Sequence, residues 1–172
     1  MKKALTLLAT LAAVCLPAGV HADDWNMPAP ETPGTALSMY GSYYHMMNRR
    51  TVTKTAPYGR GSTRYRLVPY RSIAADRTLF PAGTVLFIPE LRGKVMTAPD
   101  GTSFTHDGYV MVVDSGSGVR GHHIDFFAGG ARSNPAPLLF NGVRHHFDAY
   151  RVSDIAVVAA MTTLHDPDAP LP

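Results

Sequence analysis

The chain has 172 residues, 45% of them apolar, which is enough for one domain with a sizeable core. Sixteen Lys and Arg face 13 Asp and Glu for a formal charge of +3, and the arginines are scattered, which excludes the dense basic stripe of a nucleic-acid binder. The single cysteine, Cys15, excludes a disulfide framework. In chain order, Lys2-Lys3, the apolar run from Ala4 to Leu16 and the small-residue stretch ending at Ala22 read as a secretory signal cleaved after Ala22. The apolar run is too short for a permanent anchor, so a periplasmic or secreted protein without stable membrane insertion is expected. Cys15 fits a lipoprotein site poorly, because Val14 stands where a small residue is wanted. Removing residues 1–22 leaves 150 of the 172 and, with Lys2 and Lys3 gone, lowers the charge from +3 to +1. The mature chain then has neither a thiol nucleophile nor a thiolate metal ligand.

Residues 23–36 carry Pro28, Pro30, Pro33 and Gly34 with little apolar content and read as a flexible leader. A domain over 37–165 follows, with a disordered, proline-rich tail expected at 166–172. Leu37 to Tyr44 is a plausible first strand and 48–63 a loop. Short β-type runs come next: Tyr65 to Val68, Ser72 to Ala74, Thr84 to Ile88, Tyr109 to Val113, His123 to Phe127 and Ala149 to Val152, each bounded by Gly, Pro, Asn or Asp. Such a succession predicts a mainly β sandwich or barrel, with Arg92 to Asp107 as a hairpin or surface loop between two halves. Ser153 to Met161 reads either as a short helix capped by Ser153, with Asp154 at its positive end, or as a last strand. No repeat of solenoid period is present.

Chemistry concentrates around Asp114 and Asp125. Asp114 ends the apolar run Tyr109 to Val113, and the turn from Ser115 to Gly121 is glycine-rich enough for positive φ and for close approach of a bulky ligand. In His123 to Phe127, alternation puts Ile124 and Phe126 on one face and His123 and Asp125 on the other. Among these apolar neighbours Asp125 is expected to be partly desolvated and so to hold its proton more tightly. Asp beside Gly is also ordinary turn chemistry, and Asp107 before its strand is read that way. Arg120 suits a substrate carboxylate or plain solvation. Tyr40, Tyr43 and Tyr44 suit a sugar platform or a core. The pairs His122-His123 and His145-His146 have adjacent members facing opposite ways and match no zinc spacing, so no metal is expected.

Ile73 to Thr84, with Asp76, and Tyr109 to Gly129, with Asp114 and Asp125, together resemble the three-aspartate "3D" domain of the membrane-bound lytic transglycosylase A family and its small stand-alone relatives. The resemblance runs from about Ser72 to Gly129, with Tyr150 to Val152 a closing strand. Ser115 replaces the usual Thr but keeps the hydroxyl, Ser117 replaces a usual Gly or Ala, and the insertion from Arg92 to Asp107 is long. At this length a second, groove-closing domain is not expected.

What the resemblance implies is a six-stranded double-psi β-barrel with short helical or loop additions, and an enzyme acting on peptidoglycan glycan strands without cofactor or metal. Asp125 would be the catalytic acid, with Asp114 supporting it and Asp76 shaping the site. Ser115, Gly116, Gly118, Arg120 and His123 would line the substrate. The rival expectations are an inverting glycoside hydrolase on the same barrel and a non-catalytic, expansin-like glycan-binding barrel.

Overall fold

A computed structural model describes residues 26–31, 33–45, 56–97, 101, 103–130 and 134–170. The expected signal segment lies outside them. Among these described residues eight strands and one α-helix form: β1 Leu37–Tyr44, β2 Ser72–Ala75, β3 Val85–Phe87, β4 Val95–Thr97, β5 Ser103–Thr105, β6 Tyr109–Asp114, β7 His123–Phe127, β8 Gly142–Arg151 and α1 Ile155–Leu164. Six strands close into a barrel in the order β1-β7-β2-β6-β3-β8. The β1–β7 and β2–β6 pairs are parallel and the other neighbours antiparallel, in keeping with the six-stranded double-psi barrel expected from the sequence.

Side-chain alternation sorts the strands into two packing layers. Met39, Ile73, Ala75, Leu86, Val110, Val112, Ile124, Phe126 and Phe147 fill the interior. Val85, Phe87, Tyr109, Met111, Val113 and Phe127 point outward, where Tyr65, Leu67 and the α1 residues Val157, Met161 and Leu164 cover them. Between β3 and β6, the expected hairpin is the antiparallel ribbon of β4 and β5.

Several local expectations change. Tyr65 to Val68 forms no strand: Arg66 makes one isolated bridge with Arg60, while its backbone N–H donates to the His165 carbonyl and that of Leu67 to Gly59. The buried Arg66 donates through Nε to the Leu164 carbonyl (2.7 Å) and through its guanidinium to the Ala169 carbonyl (2.7 Å). Chain through Ala169 is therefore held where proline content suggested a free tail. Part of the leader also packs, the Pro28 carbonyl accepting from the Tyr109 hydroxyl at 2.7 Å.

Residues 155–164 are helical rather than a last strand, and the cap is Asp154, not Ser153. The Asp154 carboxylate accepts from Ala156 N (2.8 Å) and Val157 N (3.2 Å), satisfying two N–H groups that have no partner within the helix. Asp154→Ala is expected to lower stability by about 1 kcal/mol, read as a lower midpoint in denaturant unfolding.

Under the barrel lies a polar cluster that the sequence did not advertise. Arg71 pairs with Asp107, both buried, and Asp107 also accepts the Tyr109 N–H at 3.0 Å, the turn role expected of it. His106 is fully buried beside them, Nε2 on the Tyr70 carbonyl (2.7 Å) and Nδ1 taking the Gly108 N–H (2.8 Å). Burial, helped by the Arg71 charge, pushes His106 down to about 3, and burial likewise pushes His165 down to about 4. In the unfolded chain both titrate near 6.5. Above that pH neither state takes up these protons and the groups cost nothing. Below it the unfolded chain binds protons that the folded one refuses, so stability falls as pH drops from about 6.5 toward those values. By pH 5 the expected loss is about 2 kcal/mol for each histidine. Denaturant midpoints at pH 7.5 and pH 5 test this, and a midpoint that does not fall would show that neither ring is kept neutral.

Candidate active site

Four side chains from four strands stand in one row across the outside of the barrel. Ser42 of β1 is in register with Asp125 of β7, Asp125 with Ala74 of β2, and Ala74 with Asp114 of β6. Residues paired in register point to the same side of a sheet, and adjacent strands lie about 4.8 Å apart. The two acids are thus two strands apart, with Cα atoms separated by roughly 9–10 Å and only the small Ala74 side chain between them.

Asp114 reaches this row through an irregularity. Strict alternation along β6 would turn it inward with Val110 and Val112. Between Ile73 and Ala74 the register shifts, so that Val112 and Asp114, two residues apart, face consecutive residues of β2. This bulge re-aims the carboxylate outward. There it accepts from Ser62 N (2.7 Å) and Ser115 N (2.9 Å) on Oδ1 and from the Tyr44 hydroxyl (3.1 Å) on Oδ2. Burial first, then the Asp114 charge, raises the Tyr44 phenol well above its usual value, so it stays a donor. Asp114 is therefore engaged in holding a loop and a tyrosine.

Asp125 sits half-buried, as alternation predicted, on the face opposite Ile124 and Phe126. Desolvation raises its carboxyl above the ordinary range and nearby Asp114 adds to this, while the Ser42 hydrogen bond (2.8 Å) and His123 pull the other way. The net direction keeps a proton on this acid to higher pH.

Asp76 behaves differently. One oxygen accepts from Thr78 N (3.0 Å) and Thr78 Oγ1 (2.7 Å), the other from Gly121 N (2.9 Å). Those bonds, Gly121 first, hold its carboxyl below the ordinary range. It clamps the turn after β6 to the end of β2, and an acid so held keeps no proton to give at neutral pH.

The remaining expected residues surround this row unevenly. Ser115 is half-buried with its hydroxyl 2.9 Å from that of Ser62, and the Gly118 carbonyl is 3.3 Å from His123 Nδ1. Gly116 accepts the Val119 N–H. Of the turn glycines only Gly121 has positive φ (63°), so the backbone freedom expected of Gly116 and Gly118 is not used. Arg120 is exposed, near enough for its charge to act on Asp76. The three tyrosines are not one platform: Tyr43 packs on the interior cluster, Tyr44 on the outer one, and Tyr40 stacks on His123 (4.7 Å, 9°). Among the described residues no group of three His, Cys, Asp or Glu is arranged to hold a metal, and no helix is long and apolar enough to cross a membrane.

Sequence reasoning missed Ser42, Tyr44 as a partner of Asp114, and the Gly61–Thr63 loop. A Cβ on Gly61 would overlap the Val113 carbonyl, so only glycine lets this loop reach the bulge. For Ser42 a signal existed: a lone hydroxyl between Tyr40 and Tyr44 on the outward face of an aromatic strand.

The fold and site thus define a closed barrel bearing paired acids on one outer face. Residues 71–136 match the family model of the 3D domain. No curated protein matches the chain. Among solved structures, the lytic transglycosylase MltA from Escherichia coli is similar at 21% identity and a TM-score of 0.37, over 54% of this chain and 26% of that one. MltA with bound chitohexaose is similar at 21% identity and a TM-score of 0.34, over 54% and 27%. LtgG, a lytic transglycosylase of Burkholderia pseudomallei, is similar at 22% and a TM-score of 0.33, over 61% and 27%. The match spans about a quarter of the length of those enzymes.

Proposed function

We propose that the protein is a peptidoglycan lytic transglycosylase that cleaves the β-1,4 bond between N-acetylmuramic acid and N-acetylglucosamine, with Asp125 as the one acid–base group. The observation that carries this reading is the contrast among the three aspartates. Asp125 combines partial burial with a carboxyl raised above its ordinary range. Asp114 has three hydrogen-bond donors on it and Asp76 is held ionised. Asp125 and Asp76 are shifted in opposite directions, and Asp114 is tied up by its donors, which suits a single proton donor with support. The 3D domain match over 71–136 points the same way.

In the proposed reaction Asp125 donates its proton to the glycosidic oxygen as the bond from C1 breaks. The resulting carboxylate takes the proton of the muramoyl C6 hydroxyl as that oxygen bonds to C1, leaving a 1,6-anhydro end. One carboxyl serves both steps, because no water has to be activated. Ser115, Gly116, Gly118, Arg120 and His123 are proposed to line the bound strand, Arg120 meeting a lactyl or stem-peptide carboxylate. The site of action is proposed to be the periplasm or the exterior.

Digestion of purified peptidoglycan followed by mass spectrometry tests the reading, with anhydromuropeptides as the expected product. Reducing-end products in their place would mean inverting hydrolysis. Saturable binding to sacculi with no released product would mean a binding barrel.

A further inference from the structure

Ser42 stands between two groups far from it in sequence. Its Oγ is 2.8 Å from His123 Nε2 and 2.8 Å from Asp125 Oδ1. On the other side of the imidazole, Nδ1 is 3.3 Å from the Gly118 carbonyl oxygen, and the Tyr40 ring lies flat against the ring face at 4.7 Å. The histidine is therefore fixed by an edge contact, a face contact and the serine.

Hydrogen-bond valence limits what this chain of groups can do. A carbonyl only accepts, so Nδ1 carries a hydrogen, and a serine hydroxyl has one hydrogen to give. When Ser42 donates to Asp125, Nε2 must donate to Ser42, and the ring is an imidazolium beside a carboxylate. When the ring is neutral, the hydroxyl turns to Nε2 and a protonated Asp125 donates to Oγ. These arrangements hold the same number of protons and differ by one proton moved along each of two hydrogen bonds. Among the described residues Asp125 Oδ2 takes no hydrogen bond, which leaves it for a ligand.

We propose that Ser42 and His123 are positioning residues for Asp125, Ser42 being the bridge through which the imidazole and the carboxyl share a proton while Oδ2 faces the glycan. The pairing itself stands on geometry; only the use of the proton in bond cleavage rests on the transglycosylase reading. Other titratable groups facing this carboxyl are Asp114 from β6 and Tyr44 from β1, while β2 contributes Ala74 alone. Tyr40 covers the imidazole, and His146 of β8 lies beyond Tyr40, 5.7 Å between ring centroids.

The test is a carbon-13 titration of the Asp125 carboxyl in the full chain, for wild type, Ser42→Ala, His123→Gln, the double variant and Ser42→Thr. Removing the hydroxyl or the imidazolium removes something that favours the carboxylate, so each of the first two variants should move the midpoint upward by about half a pH unit or more. The double variant should move it by less than the two shifts added together, because both act through one bridge. Ser42→Thr keeps the hydroxyl and should return the midpoint toward wild type, which separates the bridge from a folding defect. Midpoints unmoved in both single variants, or shifts that simply add, would overturn the proposal. Anhydromuropeptide release measured against pH on the same samples is a separate readout. If the midpoints move but nothing is released, the pairing stands and the transglycosylase reading fails.

Discussion

Asp125→Asn is expected to cut anhydromuropeptide release from purified peptidoglycan by about 100-fold to 10,000-fold, the range for losing a general acid. Asparagine matches the carboxyl in size and still accepts the Ser42 hydroxyl, so the 2.8 Å contact and the barrel should survive. What it lacks is the proton to donate and the anionic oxygen to take one back. Asp114→Asn should cost less, since that side chain holds Tyr44 and the Ser62 loop rather than a reacting atom. Release by Asp125→Asn at the wild-type rate, with Asp114→Asn inactive, would reverse the two roles.

The second large effect concerns the buried pair under the barrel. Asp107→Ala is expected to destabilise the fold by about 3–5 kcal/mol, the range for breaking a buried ion pair by removing one member. The same substitution removes the acceptor for the Tyr109 N–H at the start of β6. For a chain of this size that loss corresponds to a fall in melting temperature of roughly 10 °C. Calorimetry on Asp107→Ala and, as a comparison, on exposed Asp168→Ala separates the effects. Equal melting temperatures would show that the Arg71 pair contributes nothing.

Much of this molecule is legible in its sequence. Period-two alternation fixed the bounds of β1 and β7 and the facing of Asp125, because a strand buried on one side must alternate. Gly and Pro punctuation separated β2, β3 and β6, and the long insertion became the β4–β5 ribbon. What was not legible is what depends on distant partners. Tyr65 to Val68 has strand-like residues, yet its backbone bonds to Gly59 and His165 instead of a ladder. The outward turn of Asp114 rests on a register shift that alternation along β6 contradicts. Asp107-Gly108 announced a turn and concealed an ion pair, since nothing local distinguishes a solvated Asx turn from one closed over an arginine 36 residues away. The helix cap was misplaced by one residue, Ser153 for Asp154, because both are good capping residues in succession.

The row from Ser42 through Asp125 and Ala74 to Asp114 draws on four strands, and the Ser42–Asp125 hydrogen bond alone joins residues 83 apart in the chain. No fragment, hairpin or half-formed sheet contains it. Long-range pairings of this kind come late and together in folding. Whatever chemistry the row performs is therefore switched on by ring closure itself, so an unfolded chain is inert, and a single cut in β1 or β7 should abolish the site in one step.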